Sequence, residues 1–193
     1  LPALKTVAVI LAGGDASRMG GGDKPLLALH RGTILDEILR RVRPQVDAVA
    51  LSVRRPSDRF AAIGLPQIPD SLGEGPLAGI AAALAWAEHA GASTLLVIPG
   101  DTPFIPADLV SRLGAPPASA EAGGRAHHLV CLLPVMIRPV LVAWLAQGHT
   151  RAGAFMDVIA ARRVAFDDPS AFRNINTPED LDAARRHPDT ASL

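Results

Sequence analysis

Short unbroken apolar runs alternate along this chain with stretches whose apolar residues recur every three or four positions. Residues 7–11 (VAVIL) form a continuous run of the kind that fills a strand covered on both faces, and residues 46–53 and 94–98 repeat it. Residues 65–68 predict a short extended piece, 129–133 a further strand, and 161–166 an edge strand. Between the runs the period changes. Thr33 is placed to cap a helix through residue 42, with Ile34 and Ile38, and Leu35 and Leu39, on one face. Pro76 opens an apolar helix, LAGIAAALAWAEHA, at a position where a missing N–H costs nothing. Its alanines and glycine let it lie close to a sheet. Pro106 starts another helix, residues 140–146 a third, and Thr177 caps a last one over 178–186. Strands separated by helices of this length predict an α/β fold with a mostly parallel central sheet covered on both faces.

No internal repeat or linker interrupts residues 1–193, which read as one domain. Residues 113–128 turn to Ala, Gly, Ser and Pro (GAPPASAEAGGRAH from Gly114) and predict a mobile loop, and 187–193 a frayed tail. Hydrophobic residues make up 49% of the 193, which excludes a largely disordered chain. Nineteen Lys and Arg balance nineteen Asp and Glu without long runs of one sign. That balance speaks against a nucleic-acid coat or a membrane-surface protein. No apolar run approaches the roughly 20 residues of a membrane span. Cys131 is the only cysteine, so an intramolecular disulfide is impossible. A cytoplasmic protein that binds a small molecule fits these facts.

In open parallel sheets ligands bind beyond the carboxyl ends of the strands. Three loops leave such ends here, at 12–24, 69–76 and 99–105, and all three are chemically unusual. The first reads AGGDASRMGGGDK. Its glycines can bring a concave row of N–H groups close to a phosphate, while Arg18 supplies a two-pronged cation and Lys24 a mobile one. It matches neither a Walker A loop nor a Rossmann G-x-G-x-x-G. The second, PDSLGEGPLAGI, sets Asp70 beyond a strand and Gly75, Pro76, Leu77 and Gly79 at a helix start. Asp70 can accept hydrogen bonds from a ligand or a metal-bound water, or simply turn the chain. The third, VIPGDTPFIP, presents Asp101, a hard oxygen ligand suited to Mg²⁺ shared with substrate phosphates. Near the end, FRNINTPEDL carries Asn174 and Asn176, whose alternation places both side chains on one side of an extended segment. Thr177 and Asp180 follow as a helix cap. His127 and His128 are adjacent, so they point to opposite sides of a strand and do not suggest a metal pair.

LAGG, Ser17-Arg18-Met19-Gly20 and Asp23-Lys24 together resemble the signature loop of sugar-phosphate and cofactor nucleotidyltransferases. With GPLAGI and FRNINTPEDL downstream, residues 7 to about 184 resemble the molybdenum cofactor guanylyltransferases, MobA-like nucleotidyltransferases. The resemblance implies a three-layer α/β/α, Rossmann-like fold. It implies transfer of GMP from Mg-GTP to the terminal phosphate of molybdopterin, weighed against two alternatives: a relative using CTP on molybdopterin or a sugar phosphate, and a non-catalytic nucleotide binder. Arg18, Lys24 and Asp101 are the implied catalytic residues, and Asp101 the magnesium ligand. The nucleotide would meet Leu11, Ala12, Gly13, Gly14, Lys24, Ser52, Asp70, Gly75, Pro76, Leu77, Gly79 and Asp101. Asn174, Asn176 and Arg151 are the candidates for the acceptor, and molybdoenzymes or cofactor-delivery proteins the implied partners. The chain departs from that family in having Ser52 where many relatives have asparagine, and His127-His128 where His-Pro is common.

Overall fold

The computed structural model describes residues 5–13, 23–70, 73 and 75–186. The expectations for Gly14 and Arg18, and for the tail at 187–193, fall outside the described residues. In chain order the strands are β1 (Thr6–Leu11), β2 (Ala28–Leu29), β3 (Gly32–Thr33), β4 (Ala48–Val53), β5 (Gln67–Pro69), β6 (Thr94–Pro99), β7 (Ala118–Ala122), β8 (Arg125–Pro134) and β9 (Arg162–Phe166). The helices are α1 (Ile34–Val42), α2 (Asp58–Ala61), α3 (Pro76–His89), α4 (Leu109–Leu113), α5 (Arg138–Ala146), α6 (Ala152–Val158) and α7 (Pro178–Arg185).

Seven of the strands form one sheet in the order β5-β4-β1-β6-β8-β7-β9. The first four run parallel, β8 lies antiparallel to both β6 and β7, and β9 returns parallel to β7 at the edge. The central strands have no polar face. On β1, Val7 and Val9 enter one core with α3, α5 and α6, while Ala8 and Ile10 enter the other with α1, α4 and α7. Leu95 and Val97 of β6 join the first core and Leu96 and Ile98 the second. This two-sided burial is what the unbroken apolar runs encode.

Helix boundaries follow their caps. The Thr33 and Thr177 hydroxyls each accept from the backbone N–H of an aspartate three residues on, Asp36 and Asp180, whose carboxylates bond back to complete capping boxes. After Pro106 the chain first makes a turn, with Leu109 N–H donating to Pro106 C=O, and α4 begins only at Leu109.

The mobile loop expected at 113–128 is corrected: it contains β7 and the start of β8, paired as a hairpin. Gly123 and Gly124 are its two turn residues, with φ of 57° and 73°, the left-handed pair that a tight hairpin requires. The alanines of ASAEA alternate inward and are buried, and β8 and β9 cover β7 on either side. A strand made of alanines carries almost no hydrophobic signal in sequence. Helix α6, not anticipated, lies just after the Gly148–Arg151 segment.

Candidate functional site

Register places the site. Across three neighbouring strands Leu11 of β1 stands opposite Ser52 of β4 and Pro99 of β6, and Val53 opposite Pro69 of β5. The residues that follow each strand therefore emerge in one row. Backbone bonds continue the ladder into them: Ala12 N–H to Ser52 C=O at 2.7 Å, Gly100 N–H to Leu11 C=O at 3.0 Å, and Asp70 N–H to Val53 C=O at 3.0 Å. The row walls a cleft of about 350 Å³, within the range of small-molecule sites.

One end of the cleft is polar and crowded. The Ser52 hydroxyl donates to Asp70 Oδ1 at 2.8 Å. Burial raises the Asp70 carboxyl above its ordinary value, and the Ser52 bond and Arg54 only partly oppose that. Gly79, on the first turn of α3, lies against this pair. A Cβ there would overlap Ser52 Oγ and come within 3.1 Å of Asp70 Oδ1, so the approach of the helix requires glycine.

The other end holds a charged cluster. Lys24 enters on a 3-10 turn, Lys24–Leu26, anchored by buried Pro25. Its Nζ donates to Asp101 Oδ2 at 3.1 Å and to Asn176 Oδ1 at 2.7 Å. Asp101 Oδ1 accepts from Asn174 Nδ2 at 2.8 Å and from the Thr102 hydroxyl at 3.3 Å. Between the two asparagines Ile175 is buried, and its N–H bonds Asp101 C=O at 2.9 Å. That single backbone bond fixes both amides beside the aspartate, as their alternation predicts. The Lys24 and Asp101 side chains are only 13% and 19% exposed, so solvent screens the pair weakly.

Leu11, Gly13, Lys24, Ser52, Asp70, Gly75, Pro76, Gly79, Asp101 and Asn174 all line the cleft. Four expected residues do not: Asn176 lines the neighbouring groove instead, and the other three lie elsewhere. Ala12 is buried against the sheet, and Leu77 points into the core beneath α3. Arg151 is exposed just before α6 and borders neither the cleft nor the hollows beside it. Arg54, Pro25, Gly100 and Leu129 line the cleft without having been singled out. Arg54 was legible: it directly follows the strand that ends at Val53.

Asp101 and the asparagine amides are hard oxygen donors, and no group of three or more His, Cys, Asp or Glu gathers at a metal-binding spacing among the described residues. One carboxylate at a phosphate-sized cleft suits Mg²⁺, which keeps waters and substrate oxygens in its shell. It does not suit a structural transition-metal centre.

Sheet order, a cleft at the carboxyl ends of parallel strands and a lysine–aspartate pair define a nucleotidyltransferase class of architecture. Residues 8–164 match the family model of the MobA-like NTP transferase domain. The molybdenum cofactor guanylyltransferase of Acidiphilium cryptum (strain JF-5) is 50% identical over 181 residues, 92% of each chain. That of Cereibacter sphaeroides (strain ATCC 17029 / ATH 2.4.9) is 44% identical over 183 residues, 92% of this chain and 94% of its own. In fold the chain is similar to molybdopterin-guanine dinucleotide biosynthesis protein A from Archaeoglobus fulgidus, with a TM-score of 0.71 at 20% identity over 93% of this chain and 96% of that one. The chain belongs to the MobA-like nucleotidyltransferase family and is an enzyme of that kind.

Proposed function

We propose that the protein transfers GMP from Mg-GTP to the terminal phosphate of molybdopterin, forming the guanine dinucleotide cofactor and releasing pyrophosphate. The observation that carries this reading is the Lys24–Asp101–Asn174–Asn176 cluster at one end of a cleft whose other end is the Ser52–Asp70 pair. The guanine Watson–Crick edge offers two adjacent N–H donors, which a single carboxylate such as Asp70 can accept. Ser52 already donates to Oδ1, so it orients that carboxylate and leaves Oδ2 for the base. Lys24 draws in the triphosphate once it leaves Asp101, and Asp101 and the Asn174 amide oxygen would hold Mg²⁺. The ion supplies charge neutralisation for the phosphates. A phosphate monoester is largely ionised near neutral pH. Its oxygen attacks the α-phosphorus, the bond to the β-phosphate oxygen breaks, and no general base has to take a proton. Positioning and charge do the work, as in other phosphoryl chemistry.

Thermal unfolding with Mg²⁺ and each of GTP, CTP, ATP and UTP tests this. Ligand at about 100 times its Kd adds ~2.7 kcal/mol, roughly 5–10 °C for a chain of this size. The expected result is a shift with GTP, lost in Asp101→Ala, together with pyrophosphate release that depends on molybdopterin. A shift with CTP in place of GTP would overturn the guanylyl assignment and keep the chemistry.

A further inference from the structure

Beyond the cleft, and sharing Asn174 with it, lies a second groove of about 620 Å³. Arg125, His127, Phe172, Arg173 and Asn176 line it. Arg125 and Arg173 are exposed, and neither forms an ion pair among the described residues. The carboxylate that borders the groove, Asp180, accepts from the backbone N–H groups of Asn176 at 3.1 Å and Thr177 at 3.0 Å, and the Arg173 charge makes only the smallest contribution to lowering it. The groove therefore presents two exposed guanidinium groups around the half-buried His127 ring, which is backed by the buried Phe172 with ring centroids 5.0 Å apart. Its field is visible on His127, which burial holds below the usual imidazole value with Arg125 and His128 adding to the effect. The position matters as much as the charge. Lys24 reaches Asn176 on the groove side and Asp101 on the cleft side, so the two spaces meet at the lysine. None of Arg125, His127 and Arg173 borders the nucleotide cleft.

We propose that this groove is the acceptor site, and that Arg125 and Arg173 bind a second anionic group of the acceptor, remote from the phosphate that is nucleotidylated. A phosphate presented at Lys24 is served by Lys24 and the two asparagines. Arginines that line the groove and not the cleft are useful only to an acceptor that carries negative charge elsewhere as well. The inference rests on the guanylyltransferase reading. In molybdopterin the second group is the dithiolene, whose sulfurs are anionic and soft, and the planar pterin suits the His127 ring.

Calorimetric titration of molybdopterin into the full chain tests it, beside the Arg125→Gln, Arg173→Gln and double variants. Removing the charge-assisted hydrogen bond that each arginine supplies should weaken acceptor binding about tenfold or more, and the double variant further. The thermal shift with Mg-GTP should be unchanged, which also shows that the variants are folded. 6-Hydroxymethylpterin phosphate, which has the phosphate and no dithiolene, should bind wild type and double variant alike. Molybdopterin binding that is equal in wild type and double variant overturns the assignment, as does a wild type that shifts with Mg-GTP and does not bind molybdopterin. Equal losses for both pterins overturn the second-anion role. If molybdopterin binds in an arginine-dependent way while no nucleotide shifts the chain, the groove stands and the guanylyl reading falls.

Discussion

The Asp101 carboxylate accepts from a lysine, an amide and a hydroxyl, and of the three only the lysine is charged. Lys24→Ala should lower turnover by roughly 10²–10³, the scale for losing one preorganised charged donor, and kinetics of pyrophosphate release measure it. At the opposite end, the proposed role of Asp70, accepting from the base, requires it to be ionised. Its carboxyl is raised by burial, so GTP affinity should fall as pH drops through a value above the ordinary carboxylate range. Ser52→Ala removes a bond that favours the ionised form and should move that acid limb to higher pH, which titration of GTP affinity against pH would record. For stability the sign is the reverse of the usual acidic case. A raised native value means that the Asp70 contribution is most favourable when it is protonated and weakens as pH rises from the unfolded value through the native one. Asp180 behaves oppositely. The Asn176 N–H leads in lowering its carboxyl, so the stability it brings is present above the unfolded value and lost as pH falls through the native one.

Elements explain how those residues are held. The α7 capping box does two tasks, because Asp180 bonds the N–H of Asn176 as well as that of Thr177. Thr177→Ala should cost about 1 kcal/mol, or roughly 2–4 °C in Tm, and should also raise KM for the acceptor by loosening Asn176. Both the cap and the asparagine pair were legible in NINTPED, since capping chemistry is local and an alternating segment has a fixed sidedness. The strand that carries Ser52 and the one that leads to Asp101 were equally plain, because apolar runs announce buried parallel strands. The hairpin at β7 and β8 was not. Its inward residues are alanines and its turn is Gly-Gly, a composition shared with loops, and only pairing to β8 and β9 makes it a strand. The groove arginines were invisible for the same reason: Arg125 gains its meaning from that hairpin, which brings it alongside Arg173, 48 positions later in the chain (173 minus 125).

At the scale of the whole molecule, two cores share the same four central strands, so a defect in one strand is felt on both faces. Leu96→Ala in β6 should cost roughly 2–5 kcal/mol by chemical denaturation, the range for an emptied core leucine. Cys131 reports on the same body. It is fully buried in β8, and burial pushes its thiol well above the usual range. A thiol reagent should therefore label it only as fast as the molecule opens, and Leu96→Ala should speed labelling. Among the described residues no helix is long and apolar enough to cross a membrane.

Gly79 adds a constraint that shows in mutational history more than in any single molecule. The space it leaves is filled by the Ser52 hydroxyl and bounded by Asp70. Enlarging position 79 first therefore forces the serine hydroxyl to move and strains its bond to Asp70. If residue 52 shrinks beforehand, the nearer obstacle is gone and only the Asp70 contact at 3.1 Å remains. Order of substitution, not only the identity of the final trio, bears on which routes through sequence space stay open at the Ser52–Asp70 end of the cleft.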